Sequence, residues 1–298
     1  MDLIRPRSFA DALACLARGA SEGRVPVPLA GATDLYPPLA GSAGLSGSAP
    51  WLDLSDIDEL RGISRVAHEG QSFWRVGALT RWSDLARGPH RHADWRALSE
   101  AAAEVGGRQI QNRATLGGNL CHASPAADGV PPLLALNAQV VLSSVSGSRR
   151  LPLESFVLGP RRTARRADEL LEAVLLPVAS ARRDSRFLKL GHRRYLVISA
   201  VMVAARADWG DDDRLTEAAL AVGACGPTAV RLPWFADVLP GCRAAELQAV
   251  AMRPWPVDAL APLAPIDDLR GSASWRRQAA EALTRRALLS LAANGART

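Results

Sequence analysis

Lysine is all but absent from this chain: Lys189 stands alone, and arginine carries nearly all the positive charge behind a net +6 and a pI near 9.9. Charge of that sign invites a nucleic-acid role. The arginines, however, are dispersed pairs such as Arg149 and Arg150, Arg193 and Arg194, Arg276 and Arg277, without the interleaved aromatics of a base-stacking surface. No nucleic-acid partner is expected, and the arginine bias reads as codon composition. Cysteine is scarce too. Cys15, Cys121, Cys225 and Cys242 are scattered with no C-x-x-C or C-x₄-C spacing, which excludes a cluster or zinc site and leaves reduced thiols. The histidines, His68, His90, His92, His122 and His192, form no ligand pattern, and His90 and His92 fall in a polar stretch that reads as loop. No metal ligands are expected. The longest apolar run, 196–205, is too short to cross a bilayer, and the N-terminus lacks a charged segment followed by an apolar one. These absences predict a cytoplasmic location without membrane insertion.

What is present suits a folded protein of two domains, since 298 residues with 48% hydrophobic content exceed one ordinary core. Ser8 caps a helix with apolar positions Phe9, Ala12, Leu13 and Leu16, and Gly19 is expected to end it. Strands are expected at 25–29, 51–54, 73–78, 139–143 and 170–176, the last stopped by Pro177. Thr80 opens a short helix, 97–105 is helical, and Pro131 and Pro132 introduce the helix LLALNA. Residues 179–185 read as a polar linker. Three further strands at 187–190, 197–207 and 215–222 precede helices near 243–252 and 275–292. No internal repeat is visible. The order predicts an α+β fold, mixed in its first part and ending in a three-stranded antiparallel sheet with helices.

Residues 105–128, VGGRQIQNRATLGGNLCHASPAAD, break this regularity, with no helical or strand period. Gly106, Gly107, Gly117 and Gly118 permit positive φ and close approach, while Thr115, Asn119 and Ser124 offer short hydrogen-bonding side chains beside backbone N–H groups. That composition suits the pyrophosphate and ribityl chain of a dinucleotide. A tight connecting loop in which Asp128 caps the next helix would have the same composition. Residues 28–35, PLAGATDL, follow a short strand, and a strand-turn-helix corner would also account for them.

Taken together, the two segments resemble the FAD subunit of molybdenum hydroxylases, the xanthine dehydrogenase and carbon monoxide dehydrogenase family. That family's second flavin segment runs Q-V-R-N-x-x-T-[IL]-G-G-N and then S-P-x-x-D, matched here by Gln109, Asn112, Thr115, Leu116, Gly117, Gly118, Asn119, Ser124, Pro125 and Asp128. PLAGATDL is similar to its first loop, A-G-G-[THQ]-[SD]-L. Ala32 replaces a glycine, and its methyl group is expected to demand a negative φ or a shifted loop. FVLGPRRTARRADELLEAVLLP and FLKLGHRRYLVISAV resemble two later segments, with Pro160 where relatives have Tyr.

The resemblance implies a two-subdomain FAD-binding domain of the PCMH/vanillyl-alcohol-oxidase type over 1–178, split near 55–60, and a C-terminal domain over 186–296. It implies FAD as cofactor, bound through Ala30, Gly31, Ala32, Thr33, Asp34 and Leu35 at the pyrophosphate, with Thr115, Gly117, Gly118 and Asn119 along the diphosphate and ribityl region. Gly118 is expected against the cofactor in a glycine conformation. Val105, Gly106 and Ser124 fall at contact positions, Asp128 is expected to accept from a sugar or ribityl hydroxyl, and Lys189 to lie near the flavin ring. Tyr195 and Ile198 are in the segment that packs by the ring. No catalytic residue is assigned. The implied activity is electron transfer within an oxidoreductase whose partners are a molybdopterin-binding large subunit and a [2Fe-2S] small subunit, with NAD⁺ or another acceptor. A stand-alone flavin oxidase would need its own acid or base, and no His or Cys lies in a covalent-flavin motif. A noncatalytic assembly subunit that has lost FAD is motivated by Ala32 alone.

Overall fold

The computed structural model describes residues 2–35, 49–87, 92–179, 182–193 and 197–295. Near the N-terminus the Ser8 side chain accepts the Asp11 N–H at 3.1 Å, capping the helix Phe9–Ser21. The helix runs past Gly19, because that glycine serves contact: a Cβ there would strike Pro26 and the Arg24 carbonyl. The buried face of Ala12, Leu13 and Leu16 packs with Leu52, Leu54, Ile57 and Leu60 beside a small parallel sheet. Its strands are β1 (Leu3–Ile4), β2 (Val27–Leu29) and β3 (Trp51–Asp53), in the order β1-β3-β2.

A second, antiparallel sheet follows. It contains β4 (Ile63–His68), β5 (Gln71–Gly77), β6 (Gln139–Ser144) and β7 (Gly147–Pro152), and it is completed by β10 after a short pair, β8 (Val157–Gly159) and β9 (Arg162–Thr163). β10 (Leu170–Pro177) takes the centre, giving the order β4-β5-β10-β6-β7. Pro177 is itself the last paired residue, opposite Phe73, where a strand end needs no further N–H. The edge strands β4 and β7 escape a pattern search, since both are mostly solvated and β7 reads GSRRLP. Val76, Val140, Leu142, Val174 and Leu176 form the core with Trp82, Leu133 and Phe156 from flanking helices. Pro131 and Pro132 lie within the helix Val130–Ala135, in its first turn, where their missing N–H groups cost nothing.

The third sheet has four strands among the described residues, one more than the sequence pattern indicates: β11 (Arg182–Leu190), β12 (Val201–Trp209), β13 (Leu215–Gly223) and the two-residue β14 (Val230–Arg231). Residues 182–185, expected in a linker, belong to β11. The reason is pairing: Arg183 grips Asp208 of β12 through Nε at 2.7 Å and Nη2 at 2.9 Å.

All nine residues of β12 are buried, and alternation divides them between two environments. Val201, Val203, Ala205, Ala207 and Trp209 face a core built with the helices Ala244–Met252 and Ala273–Gly295. Met202 and Ala204 turn the other way, packing with Phe187 against Ala97, Ala101 and Ala135 of the first unit. Arg206 and Asp208 continue that second face. Their charges are tied, with Arg206 Nη1 to Asp208 Oδ2 and Arg206 Nη2 to Glu217 Oε2 both at 2.9 Å. No described helix is long and apolar enough to cross a membrane.

Removing Asp208 would leave two buried guanidinium groups facing each other. Asp208→Ala is therefore expected to cost about 3–5 kcal/mol, whereas Glu217→Ala, on the exposed end of the same network, should cost no more than about 1 kcal/mol. Urea unfolding midpoints of the two variants check the difference.

Candidate functional site

The two segments singled out in the sequence meet across a pocket of about 660 Å³, a size common for cofactor sites. The first emerges from β2 into residues 30–35. The second is not irregular throughout, as its lack of period suggested, but contains two short helices, Arg108–Gln111 and Leu116–His122. Helices of four and seven residues are too short to display a period.

Gly31 allows the two segments to touch. A Cβ there would collide with the Arg113 carbonyl and the Ala114 Cα, so only hydrogen fits. Ala32 is held at φ +59°, contrary to the negative φ expected of a methyl-bearing residue. The left-handed turn is closed by the Leu35 N–H donating to the Ala32 carbonyl at 3.1 Å. Among the described residues, no protein acceptor takes the backbone N–H of Gly31, Ala32, Thr33 or Asp34. Successive free N–H groups around such a turn make an anion-binding concavity.

The second segment behaves differently. Leu116 N–H donates to the Thr80 carbonyl, Gly117 N–H to the Ala78 carbonyl, and Gly118 N–H to Thr115 Oγ1 at 3.1 Å. These amides are occupied, so Thr115 is a helix cap and the segment supplies shape more than donors. Gly117 packs on Ala78 of the protein, where a Cβ would clash. Gly118 lies in the helix with no left-handed φ, correcting the glycine conformation expected there; a Cβ would meet only Thr115 Oγ1 at 3.0 Å and Ala30 at 4.0 Å. Gly107 likewise has φ −100°; of the glycines in this run Gly106 alone is left-handed, at φ +52°, and Ala123 at φ +48° shares that conformation. Asn119 carries a buried Oδ1 without a protein partner.

Of the sequence-predicted residues, Ala30, Gly31, Ala32, Thr33, Asp34, Leu35, Val105, Thr115, Gly117, Gly118 and Asn119 line the pocket. Gly106, Ser124, Asp128 and Lys189 lie outside its wall. Ser124 Oγ accepts the Ala126 N–H at 3.2 Å, shaping a turn. Asp128 neither caps a helix nor offers a free acceptor: Lys189 Nζ donates to its Oδ2 at 2.7 Å and Ser199 Oγ to its Oδ1 at 2.6 Å. Burial pushes the Asp128 carboxyl above the ordinary carboxylate range, against the pull of Lys189 and both hydrogen bonds. Lys189 also donates to the Glu104 carbonyl at 3.1 Å, so the chain's one lysine ties β11 to the residue before Val105. Ile198 is exposed and off the wall. Tyr195 and His90 lie outside the described residues.

Several wall residues were not anticipated. Trp51, Leu54, Leu79, Trp82 and Ile110 give it an apolar side, and Arg161 and Arg165 bring positive charge from the β8–β9 turn and the chain after it. His122, without ligand spacing in the sequence, lines the wall as well; it follows Asn119 by three positions and so shares its helical face. Cys121 is also on the wall. Burial raises its thiol to about 11, with Arg165 pulling the other way, so near neutral pH it is no nucleophile. The described residues contain no group of His, Cys, Asp and Glu that could hold a metal.

Fold and pocket define a protein built around a sizeable cavity, with an apolar side and a main-chain turn in its wall. Residues 1–179 match the FAD binding domain in molybdopterin dehydrogenase, and residues 186–291 match the CO dehydrogenase flavoprotein C-terminal domain. The chain belongs to this family of FAD-binding oxidoreductase subunits, and FAD is the family's cofactor. It is 38% identical over 149 residues to the nicotinate dehydrogenase FAD-subunit of Eubacterium barkeri, a match covering 49% of this chain and 50% of that one. It is 32% identical over 241 residues to the caffeine dehydrogenase subunit beta of Pseudomonas sp. (strain CBB1), covering 77% and 75%. The chain thus spans about half to three quarters of the length of these curated relatives. Among solved structures, reconstituted CO dehydrogenase from Oligotropha carboxidovorans superposes with a TM-score of 0.85 at 25% identity, over 98% of both chains.

Two neighbouring substitutions test the first loop with opposite signs. Gly31→Ala should destabilise by about 1–3 kcal/mol through the clash with Arg113, while Ala32→Gly should stabilise by up to about 1 kcal/mol by relieving the left-handed alanine. Thermal and urea unfolding of the two variants reads both signs.

Proposed function

We propose that this chain is the FAD-carrying electron-transfer subunit of a multisubunit molybdenum hydroxylase. The observation that carries this reading is the row of backbone N–H groups from Gly31 to Asp34 without a described protein acceptor, around a left-handed Ala32, in residues that line a pocket with an apolar side. A diphosphate needs such a row, and a flavin ring needs such a side.

When bound, FAD would supply the redox chemistry. The chain supplies binding and orientation. In this reading Ala30, Gly31, Ala32, Thr33, Asp34 and Leu35 hold the diphosphate, while Thr115, Gly117, Gly118 and Asn119 shape the opposite wall and Val105 closes one part of it. The unpartnered Asn119 Oδ1 is an acceptor suited to a ligand hydroxyl. Asp128 and Lys189 act through the Glu104 carbonyl, fixing the backbone beside Val105. Residues 1–178 form the FAD domain, split near 55–60, and 186–296 the C-terminal domain. A [2Fe-2S] small subunit donates the electrons, a molybdopterin-binding large subunit generates them from an organic substrate, and NAD⁺ or another acceptor receives them. The lack of cluster-ligand spacing in this chain agrees with placing the clusters elsewhere.

Acid precipitation of the purified chain should release about one equivalent of yellow FAD per chain, noncovalently held. Recovery of FMN, or failure to take up FAD on reconstitution, would refute the cofactor assignment. The flavin-loaded chain alone should not oxidise a purine or aldehyde substrate, with turnover appearing only when both partner chains are co-expressed. Turnover by the single chain would show that it carries a substrate site of its own.

A further inference from the structure

Resting on the placement of FAD in this pocket, we propose that Asp34 and His122 form a clasp that joins the two cofactor loops at the pocket mouth and slows release of the flavin. Asp34 belongs to the first loop, His122 is the last residue of the helix Leu116–His122, and both line the pocket. His122 Nδ1 lies 2.8 Å from Asp34 Oδ2, with side chains 26% and 62% exposed. The link therefore sits at the rim. At the inner side the loops already meet, backbone to backbone, where Gly31 abuts Arg113. One fixed contact leaves the first loop free to swing about it, and a second contact at the rim removes that freedom.

The sign of the electrostatics separates a clasp from a mere charge. The Asp34 carboxylate stands in the row of N–H groups that faces the diphosphate, so by charge alone it opposes an anionic ligand. Arg161 and Arg165 on the same wall favour that ligand. Deleting the carboxylate should then slow flavin release if charge is all that matters. It should speed release if the carboxylate's role is to hold His122. The 2.8 Å approach of Nδ1 to the carboxylate is an ion pair when the imidazole is protonated.

The test is the rate at which FAD leaves the full reconstituted chain after dilution, read from the recovery of free-flavin fluorescence. Asp34→Ala and His122→Ala should each speed release roughly two- to fivefold, the range of a partly exposed charged pair. The double variant should release no faster than either single one, since both remove the same link. His122→Asn, which keeps an N–H near the Nδ1 position, should restore slow release. Far-ultraviolet circular dichroism should be unchanged throughout. Slower release from Asp34→Ala, unchanged rates, or effects that multiply in the double variant would each overturn the clasp while leaving the pocket assignment standing. A wild-type chain that takes up no FAD would overturn the assignment and the clasp with it.

Discussion

The approach of Gly31 to the Arg113 carbonyl is the contact on which the site depends. Two backbones can come this close only where one lacks a Cβ, and the distance sets how far apart the walls of the pocket stand. The occupied amides of the second segment follow from the same geometry. With Gly117 pressed on Ala78, its N–H reaches the Ala78 carbonyl, and the short helix is anchored to the sheet. The first loop, which has no such anchor in the sheet, keeps its donors free. A glycine lets each segment approach a neighbouring backbone, but only the helix spends its amides on the carbonyls of Ala78 and Thr80.

Buried charge joins the two units of the chain. Asp128, Lys189 and Ser199 connect the end of the glycine-rich run to the third sheet, and Glu100 accepts from both the Arg186 guanidinium and the Phe187 N–H. Apolar contact between the units is made largely by alanine, with Ala97, Ala101 and Ala135 against Phe187, Met202 and Ala204. Small side chains let the units come near but bury little area, so directional bonds fix their orientation.

The sequence made the regular elements legible where one face is buried and the other wet, as in the helix beginning at Phe9 and the strands around Val76 and Val174. It failed at the edges. β4, β7 and β14 are short or solvated, and β12 is buried on both faces, so its polar Arg206 and Asp208 look out of place until their partners are known. In the site, residues that act through main-chain position, Gly31 to Leu35 above all, could be found because glycine and small residues mark such loops. Asp128 and Lys189 were assigned to the ligand because a string of residues does not reveal that the two side chains are each other's partner. Arg161 and Arg165 reach the wall from elements whose direction only the fold determines.

An alanine held left-handed without the freedom of glycine means that the loop carrying it is not at rest in its own local energy. Any ligand that accepts hydrogen bonds from the neighbouring amides stabilises the strained form selectively, so occupancy and loop order rise together. The consequence is that the loop reports on its ligand.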